Sequence, residues 1–292
     1  MFEKIVLATD LSPAWDEIVA CAGEFKALGC KQVILTHVIT VKFMVGMEGA
    51  LQAEARPKLE AQRQQLEAQG LQVSVETPVG LPADSLHDLA CRYGADLIVV
   101  GSHGKFLWRE AVLGSVASAI LHRTEFPTLL LNVQLRAEGE QGTCRLRCAE
   151  LLHHVLFPTD FSEISSRALE YVERLAVKGM AQVTLLNALD VPEGEDVYPP
   201  GYQEIAEGAA RDLLEQWKQR LLKAGVPVVH DCFDPGHPIP AILNILKLEN
   251  ISLIVMGTQG KGFIKEIFLG SVAHNISRLA TCPVLLIPPA SR

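Results

Sequence analysis

The chain has 292 residues, of which 49% are hydrophobic and 21% charged, a composition typical of folded globular proteins and too apolar for intrinsic disorder. This length predicts two domains more readily than one. The formal net charge of −8 argues against a protein that binds the phosphate backbone of nucleic acid, because such proteins usually carry a basic stripe.

In chain order, short β-branched apolar runs alternate with longer segments of helical periodicity. In the first half, strands are predicted at Lys4–Thr9, Gln32–Ile39, Leu71–Thr77, Asp96–Val100 and Thr128–Val133, and helices near residues 14–28, 50–69, 83–93 and 115–123. This alternation predicts right-handed crossovers and a mainly parallel sheet covered on both faces. We therefore predict that each half is a three-layer α/β/α domain with a five-stranded, mainly parallel sheet.

The two halves of the sequence repeat each other. Lys4–Ser12 (KIVLATDLS) aligns with His154–Ser162 (HVLFPTDFS) at an offset of 150 residues, whereas Gly101–Ala117 aligns with Gly257–Ala273 at an offset of 156. The six extra residues of the second half are expected within Val191–Gly201, a stretch rich in proline, glycine and acidic residues. A surface loop tolerates such an insertion, so the duplication leaves the order of strands and helices unchanged.

The middle of the chain lacks periodicity and is predicted to be a linker. The predicted boundaries are 1–135 for domain 1, 136–149 for the linker and 150–292 for domain 2. The fifth strands of the two halves, Pro127–Val133 and Pro283–Pro288, are apolar edges that would otherwise be exposed. We therefore expect the domains to pair through these strands as an intramolecular pseudo-dimer, and two chains could associate further as a homodimer.

The sequence gives no sign of export or membrane insertion. The N-terminal apolar run ends at Asp10, too early for a signal peptide. Other apolar runs, such as the one around Ile98, fall well short of the ~20 residues that span a bilayer. Seven cysteines without a secretory signal argue against a disulfide framework. We expect a cytoplasmic protein that does not contact membranes.

A glycine motif recurs in both halves at the predicted carboxyl end of the fourth strand. It reads Gly-x2-Gly-x9-Gly-Ser and consists of Gly101, Gly104, Gly114 and Ser115 in the first half and Gly257, Gly260, Gly270 and Ser271 in the second. Ligands of open α/β sheets bind beyond such strand ends. Glycine allows close backbone approach, and a helix N-terminus favours an anion such as phosphate. The spacing matches neither the Walker A motif nor the dinucleotide fingerprint.

Asp10 and Asp160 end the first strand of each half, ahead of the glycine motif. This combination resembles the universal stress protein family, here as two tandem domains that cover nearly the whole chain outside the linker. The resemblance implies a Rossmann-like, adenine nucleotide alpha hydrolase-like fold that binds ATP, with Mg²⁺, as a stress-response module. In such proteins the first-strand aspartate and the end of the second strand hold adenine, and the glycine loop holds ribose and phosphates.

The resemblance assigns nucleotide contacts residue by residue. They are Asp10, Val38, Gly101, Gly104, Gly114 and Ser115 in domain 1, and Pro158, Asp160, Ala188, Met256, Gly257, Gly260, Gly270 and Ser271 in domain 2. Domain 2 is closer to the nucleotide-binding form of the family, because domain 1 has Ala8 where that form has proline. The spacer residues Lys105, Arg109, Lys261 and Lys265 could neutralise phosphate charge or lie on a solvated face.

Other interpretations stay open at this point. The aspartates and glycines are also typical of turns that organise strand-to-helix connections. No catalytic group presents itself: His103 in the first glycine loop is replaced by Gln259 in the second, so no shared general base is expected and any ATP hydrolysis would be slow. The alternatives to an ATP-binding module are a nucleotide hydrolase or adenylyl-type enzyme and an interaction scaffold with vestigial sites.

Four residues near the linker are of types that bind zinc, namely Cys144, Cys148, His153 and His154. Their spacing is not a zinc-finger pattern, and we expect no metal site there. His154 falls at a predicted strand start, where we expect packing at a sheet edge to account for it.

Overall fold

The computed structural model describes residues 1–12, 15, 18–19, 22–40, 46–102, 113–123, 125–132, 135–136, 143–144, 150–189, 201–261 and 269–290. Domain 1 contains β1 (Lys4–Ala8), α1 (Gly23–Ala27), β2 (Gln32–Thr36), α2 (Glu48–Ala68), β3 (Gln72–Glu76), α3 (Pro82–Tyr93), β4 (Leu97–Gly101), α4 (Ser115–Leu121) and β5 (Thr128–Leu131). Two short strands follow, β6 (Leu135–Arg136) and β7 (Thr143–Cys144). Domain 2 contains β8 (His154–Thr159), α5 (Glu163–Ala176), β9 (Gln182–Ala188), α6 (Tyr202–Lys223), β10 (Val228–Asp234), α7 (Pro238–Leu248), β11 (Leu253–Gly257), α8 (Ser271–Leu279) and β12 (Val284–Ile287).

Ten strands form one continuous sheet in the order β10-β9-β8-β11-β12-β5-β4-β1-β2-β3. All pairings within each half are parallel. At the centre, β12 pairs antiparallel with β5, and Leu285 lies opposite Leu129. The prediction of two parallel five-stranded sheets that meet through their fifth strands is confirmed. Each domain thereby covers an apolar edge strand of the other.

Helices cover both faces of this sheet, as the alternating strand-helix pattern predicts. Neighbouring residues of a strand point to opposite faces, so Ile5 and Leu7 belong to one hydrophobic core and Val6 to the other. The first core packs under α1, α2, α5 and α6, and the second packs under α3, α4, α7 and α8. Both cores contain residues of the two domains, so the hydrophobic interior continues across the central strand pair.

Contacts outside the sheet also join the two domains. The Glu24 carboxylate of α1 accepts a hydrogen bond from the backbone N–H of Leu151 at 2.9 Å. The rings of Phe2 and Tyr171 stack with their centroids 6.0 Å apart. The domains therefore pack as one unit along this face as well as along the strand pair.

Some predicted boundaries differ from the structure. β2 ends at Thr36 instead of Ile39, because Ile39 forms an isolated bridge with Val79 beyond the regular ladder. Within the predicted linker, β6 and β7 pair antiparallel, with Leu135 opposite Cys144, a feature that the missing periodicity did not indicate. The proposed insertion at 191–201 lies outside the described residues apart from Gly201. The domain boundaries themselves stay a prediction.

The prediction that His154 packs at a sheet edge is wrong. β8 lies inside the sheet between β9 and β11, and His154 is only 6% exposed. Its Nε2 atom lies 2.8 Å from Thr184 Oγ1 and 3.4 Å from a carboxylate oxygen of Glu249. Burial lowers the pKa of the imidazole more than the charge of Glu249 raises it. The histidine is thus a buried polar group with partners on the neighbouring strand β9 and at the C-terminus of α7.

Metal-ligand clusters and membrane-spanning helices are both absent from the part of the chain that the structure describes. The described residues contain no group of three or more His, Cys, Asp or Glu side chains that could hold a metal ion. The Cys144 side chain and Cys148 lie outside the described part of the chain, so the zinc question at those two positions stays untested. Of the helices that the structure describes, none is both long enough and apolar enough to cross a membrane.

Candidate functional site

Each domain has a cleft at the carboxyl edge of its sheet, next to its first and fourth strands. The first strand pairs with the second on one side and the fourth on the other, so the crossovers leave it in opposite directions. A crevice at such a reversal of strand order is the usual ligand site of open α/β sheets. The clefts measure about 450 Å³ in domain 1 and about 430 Å³ in domain 2, within the range of small-molecule sites.

The structure brings together the site residues that the sequence analysis named, as far as they are described. In domain 1 the cleft is lined by Asp10, Val38, Gly101, Gly114 and Ser115. In domain 2 it is lined by Pro158, Asp160, Ala188, Met256, Gly257, Gly260, Gly270 and Ser271. Lys261 also lines the domain 2 cleft. Gly104 and the spacer residues Lys105, Arg109 and Lys265 fall outside the described residues.

The aspartate of each cleft lies in a strained strand-to-helix turn. The next residue, Leu11 or Phe161, has a φ of 58° or 60°, in the left-handed region that bulky side chains rarely adopt. In domain 2 the N–H of Phe161 donates to Thr159 Oγ1 and the N–H of Ser162 donates to Asp160 Oδ1, each at 3.0 Å. The same two bonds recur in domain 1 at 3.1 and 2.8 Å. Both carboxylates are therefore fixed at the cleft by the same local geometry.

Asp160 connects the first turn of α5 to the glycine turn. Its Oδ1 atom accepts a hydrogen bond from Ser165 Oγ at 2.6 Å, and its Oδ2 atom accepts one from the backbone N–H of Lys261, also at 2.6 Å. Burial acts to raise the pKa of this carboxyl, but hydrogen bonds from Ser165, Ser162 and Lys261 outweigh burial and lower it. The carboxylate therefore stays ionised, and its charge strengthens these bonds.

Two glycines of domain 2 are required by close packing around the cleft. A Cβ atom on Gly260 would lie 2.5 Å from Asp160 Oδ2, and one on Gly270 would lie 3.3 Å from the carbonyl oxygen of Thr258. The N–H of Gly270 also donates to that carbonyl at 2.7 Å, which holds the start of α8 against the turn. No side chain of the described residues caps this N-terminus, and the first turn of α8, residues 271–273, lines the cleft. Backbone N–H groups at a helix N-terminus of this kind favour an anion.

Among the positions at which the domain 1 cleft differs from domain 2, two carry a large ring in place of a small polar side chain. Trp15 stands where domain 2 has Ser165, and His37 stands where it has Asn187. Nδ1 of His37 lies 2.8 Å from the carbonyl oxygen of Thr9, so this nitrogen carries the hydrogen, since a carbonyl only accepts. Asn187 donates to the equivalent carbonyl at 2.8 Å. Both Trp15 and His37 line the domain 1 cleft.

The sequence analysis did not single out Ser165, Trp15 or His37, although each lines a cleft. The signal was present in the repeat, because the offset of 150 residues places Trp15 opposite Ser165 and His37 opposite Asn187. Their distance from the glycine motif along the chain concealed their place in the same site. Only the folded sheet shows that position 165 and the glycine turn contact one carboxylate.

Comparison with known proteins agrees with this architecture. The model of the universal stress protein family matches residues 1–132 and 152–288. Universal stress protein YxiE of Bacillus subtilis is 31% identical over 153 residues, which cover 47% of this chain and 99% of that protein. A universal stress protein of Mycolicibacterium smegmatis is 24% identical and aligns over 98% of this chain and 97% of its own length.

A solved structure has the same fold over the whole chain. The crystal structure of a universal stress protein from Archaeoglobus fulgidus superposes with a TM-score of 0.74 and covers 99% of both chains at 23% identity. The fold, the duplicated family match and the full-length relatives lead to one assignment. The chain belongs to the universal stress protein family and consists of two such domains in tandem.

Proposed function

We propose that this tandem protein binds ATP, together with Mg²⁺, in the clefts of its domains and acts as a nucleotide-responsive stress module in the cytoplasm. The observation that carries the proposal is the domain 2 cleft. There an ionised aspartate, a close-packed glycine turn and the uncapped N-terminus of α8 surround a space of about 430 Å³. This combination suits a ligand with a flat, partly apolar part and an anionic tail.

The base end of the ligand is proposed to lie over the ends of β8, β9 and β11. Pro158, Ala188 and Met256 line the cleft there and supply apolar surface for a purine ring. Asp160 lies at the border between this apolar wall and the glycine turn. In domain 1, Ala8, Val38 and Val100 take the corresponding places.

The phosphates are proposed to lie against the glycine turn and the start of α8. The net charge of −8 opposes the approach of a polyanion, so local donors must compensate for the field of the whole chain. Among the described residues of this cleft, the N–H groups of Gly260 and of residues 271–273, the Ser271 hydroxyl and the Lys261 ammonium are proposed as donors to the phosphates. Mg²⁺ would be held mainly by the phosphates and water, as is usual for nucleotide-bound magnesium.

We infer that the domain 2 cleft binds ATP and hydrolyses it slowly at most. Among the described residues that line this cleft, Asp160 is the acidic one, and it already accepts three hydrogen bonds from the protein. Its lowered pKa makes it a weak general base for an attacking water. A nucleotide hydrolase or adenylyl-type enzyme is the competing function, and an interaction scaffold with vestigial sites is the third.

Calorimetry with ATP and Mg²⁺, combined with mass spectrometry of ligand retained through native purification, tests the proposal. We expect an adenine nucleotide in the purified protein and measurable binding heat. Gly270→Val should abolish the domain 2 contribution, because its side chain would crowd the Thr258 carbonyl and the cleft. Gly208→Ala is the matched control, since a Cβ on Gly208 of α6 meets nothing within 4 Å.

Two other outcomes would overturn the proposal, and each would favour one of the two competing functions. Protein without retained nucleotide and without binding heat would favour the scaffold. Steady release of product from ATP well above a protein-free blank would favour the enzyme.

A further inference from the structure

The two clefts differ at the residue that supports the aspartate. Ser165 and Trp15 occupy the same position of the repeat, five residues after Asp160 and Asp10. Both side chains are buried, at 4% exposure each, and both line their cleft. The same backbone frame therefore carries a hydroxyl in domain 2 and an indole in domain 1.

In domain 2 the hydroxyl completes a chain of hydrogen bonds that reaches the glycine turn. Ser165 Oγ donates to Asp160 Oδ1, and Asp160 Oδ2 accepts from the N–H of Lys261. Ser165 is itself held by Ser162 in the cap of α5: its backbone N–H donates to Ser162 Oγ at 3.2 Å, and its Oγ accepts from Ser162 Oγ at 3.3 Å. These bonds, all made by groups of the protein itself, fix the carboxylate and the glycine turn relative to each other. A site that is already ordered loses less entropy on binding.

In domain 1 the same position provides no hydroxyl. Asp10 accepts from the N–H of Ser12 at 2.8 Å, as its counterpart does. The backbone N–H of Trp15 donates to the carbonyl of Ser12 at 2.9 Å, and the buried Trp15 side chain belongs to the first hydrophobic core and lines the cleft. An indole has one N–H donor and no hydroxyl, so Trp15 lacks the group with which Ser165 donates to its aspartate. Among the described residues, position 15 therefore offers Asp10 no hydroxyl bond of the kind that Ser165 gives Asp160.

We propose that domain 2 is the tighter nucleotide site and domain 1 the weaker one, with Ser165 and Trp15 setting the difference. The protein then fills its two sites at nucleotide concentrations about tenfold apart and responds in two steps. One hydrogen bond to a charged group accounts for a ratio of this size. This inference rests on the proposed function, because it concerns affinity for the same ATP–Mg²⁺ ligand.

Calorimetric titration of the full chain with ATP and Mg²⁺ is the first test. We expect two binding steps about tenfold apart in Kd, and Gly270→Val should remove the tighter one. Ser165→Ala should weaken that step about tenfold and leave the weaker step unchanged, so domain 1 serves as an internal control for folding. Ser165→Thr, which keeps the hydroxyl, should restore the affinity.

Amide hydrogen exchange, measured without nucleotide, shows whether Ser165→Ala loosens only the glycine turn. A general loss of structure would raise the exchange rates throughout domain 2. The amide of Lys261 should exchange faster in Ser165→Ala than in the wild type, because its acceptor Asp160 becomes less fixed. Ser166→Ala is the matched control: its hydroxyl donates to the Ser162 carbonyl at 3.0 Å in the same turn of α5, and it should leave both readouts unchanged.

The outcomes separate this inference from the proposed function. Equal affinities at the two sites, loss of the weaker step in Gly270→Val, or an unchanged Kd in Ser165→Ala would overturn the inference and leave ATP binding intact. Absence of binding at both sites would overturn the proposed function itself.

Discussion

The two domains share a backbone frame and differ in the side chains that face their clefts. The strained residue after the aspartate has a φ of 58° in one domain and 60° in the other. The hydrogen bond from the N–H of the third glycine of the motif to the carbonyl of residue 102 or 258 measures 2.8 Å at Gly114 and 2.7 Å at Gly270. Yet Ser165 is exchanged for Trp15 and Asn187 for His37. Backbone hydrogen bonds keep the backbone geometry of both clefts alike. The side chains that line the clefts can therefore differ between the domains without loss of the fold.

The joint between the domains shows a second asymmetry. At the end of β5, Asn132 donates from Nδ2 to the carbonyl oxygens of Ala280 and Cys282 at 2.9 and 2.7 Å. The repeat places Pro288 at the equivalent position after β12, and proline has no side-chain donor. The pairing of β5 with β12 is therefore close to twofold symmetric. The side-chain hydrogen bonds of Asn132, by contrast, run only from domain 1 to domain 2.

Of the substitutions considered, Gly260→Ala should have the largest effect on nucleotide affinity. It tests whether the glycine turn of domain 2 can accept a side chain next to Asp160. A Cβ atom there would lie 2.5 Å from Asp160 Oδ2, so the turn or the carboxylate must move. We expect the domain 2 affinity for ATP and Mg²⁺ to fall about 100-fold, which corresponds to about 2.7 kcal/mol, with domain 1 unchanged in the same titration.

Gly208→Ala in α6 is the control for Gly260→Ala, because the added methyl group meets no neighbour. It should leave binding unchanged and stabilise the fold by roughly 0.5–1 kcal/mol. Wild-type affinity in Gly260→Ala would show that Asp160 and the turn are not tightly coupled.

Asn132→Ala should have the next largest effect and tests the asymmetry of the joint. The substitution leaves two buried carbonyl oxygens without this donor, and we expect a loss of about 2–3 kcal/mol in the free energy of unfolding, measured by urea denaturation. Asn275→Ala is the control, since Asn275 makes an exposed bond to the Ser271 carbonyl at 2.9 Å within α8. Equal losses in the two variants would mean that the joint does not depend on Asn132.

His154 should give the smallest effect, through the pH dependence of stability. Its counterpart in domain 1 is Lys4, whose ammonium donates to the Tyr93 carbonyl at the exposed surface. Burial lowers the pKa of His154 in the folded state, so the unfolded chain binds its proton at a higher pH. This contribution to stability is complete above the unfolded value of about 6.5 and is lost as the pH falls through the folded value.

Urea denaturation at several pH values on both sides of about 6.5 measures this contribution. His154→Gln should flatten the decline of stability on the acid side. His153→Gln, at an exposed side chain, should keep the wild-type slope. The same slope in all three proteins would contradict a role for the buried imidazole.

Much of the fold could be predicted because its signals are local and are repeated along the chain. Alternating apolar runs predicted the strands, and the two offsets between Lys4–Ser12, Gly101–Ala117 and their copies revealed the duplication. The site could be predicted in part, because the glycines and aspartates lie at strand ends that any parallel sheet brings to one edge. The interior place of His154 could not be predicted, since strand order depends on pairings between distant segments.

The sequence by itself determined the fold class, the duplication and the edge of the sheet at which ligands would bind. Periodicity and spacing are properties of neighbouring residues, so they can be read along one chain. Only the tertiary structure decided how the clefts differ. The bond between Asp160 and Lys261 joins residues 101 positions apart, and the left-handed turn at Phe161 follows from contacts rather than from the preference of phenylalanine. Such features depend on residues that are distant in sequence and near in the fold. The pattern of neighbouring residues along the chain carries no information about them.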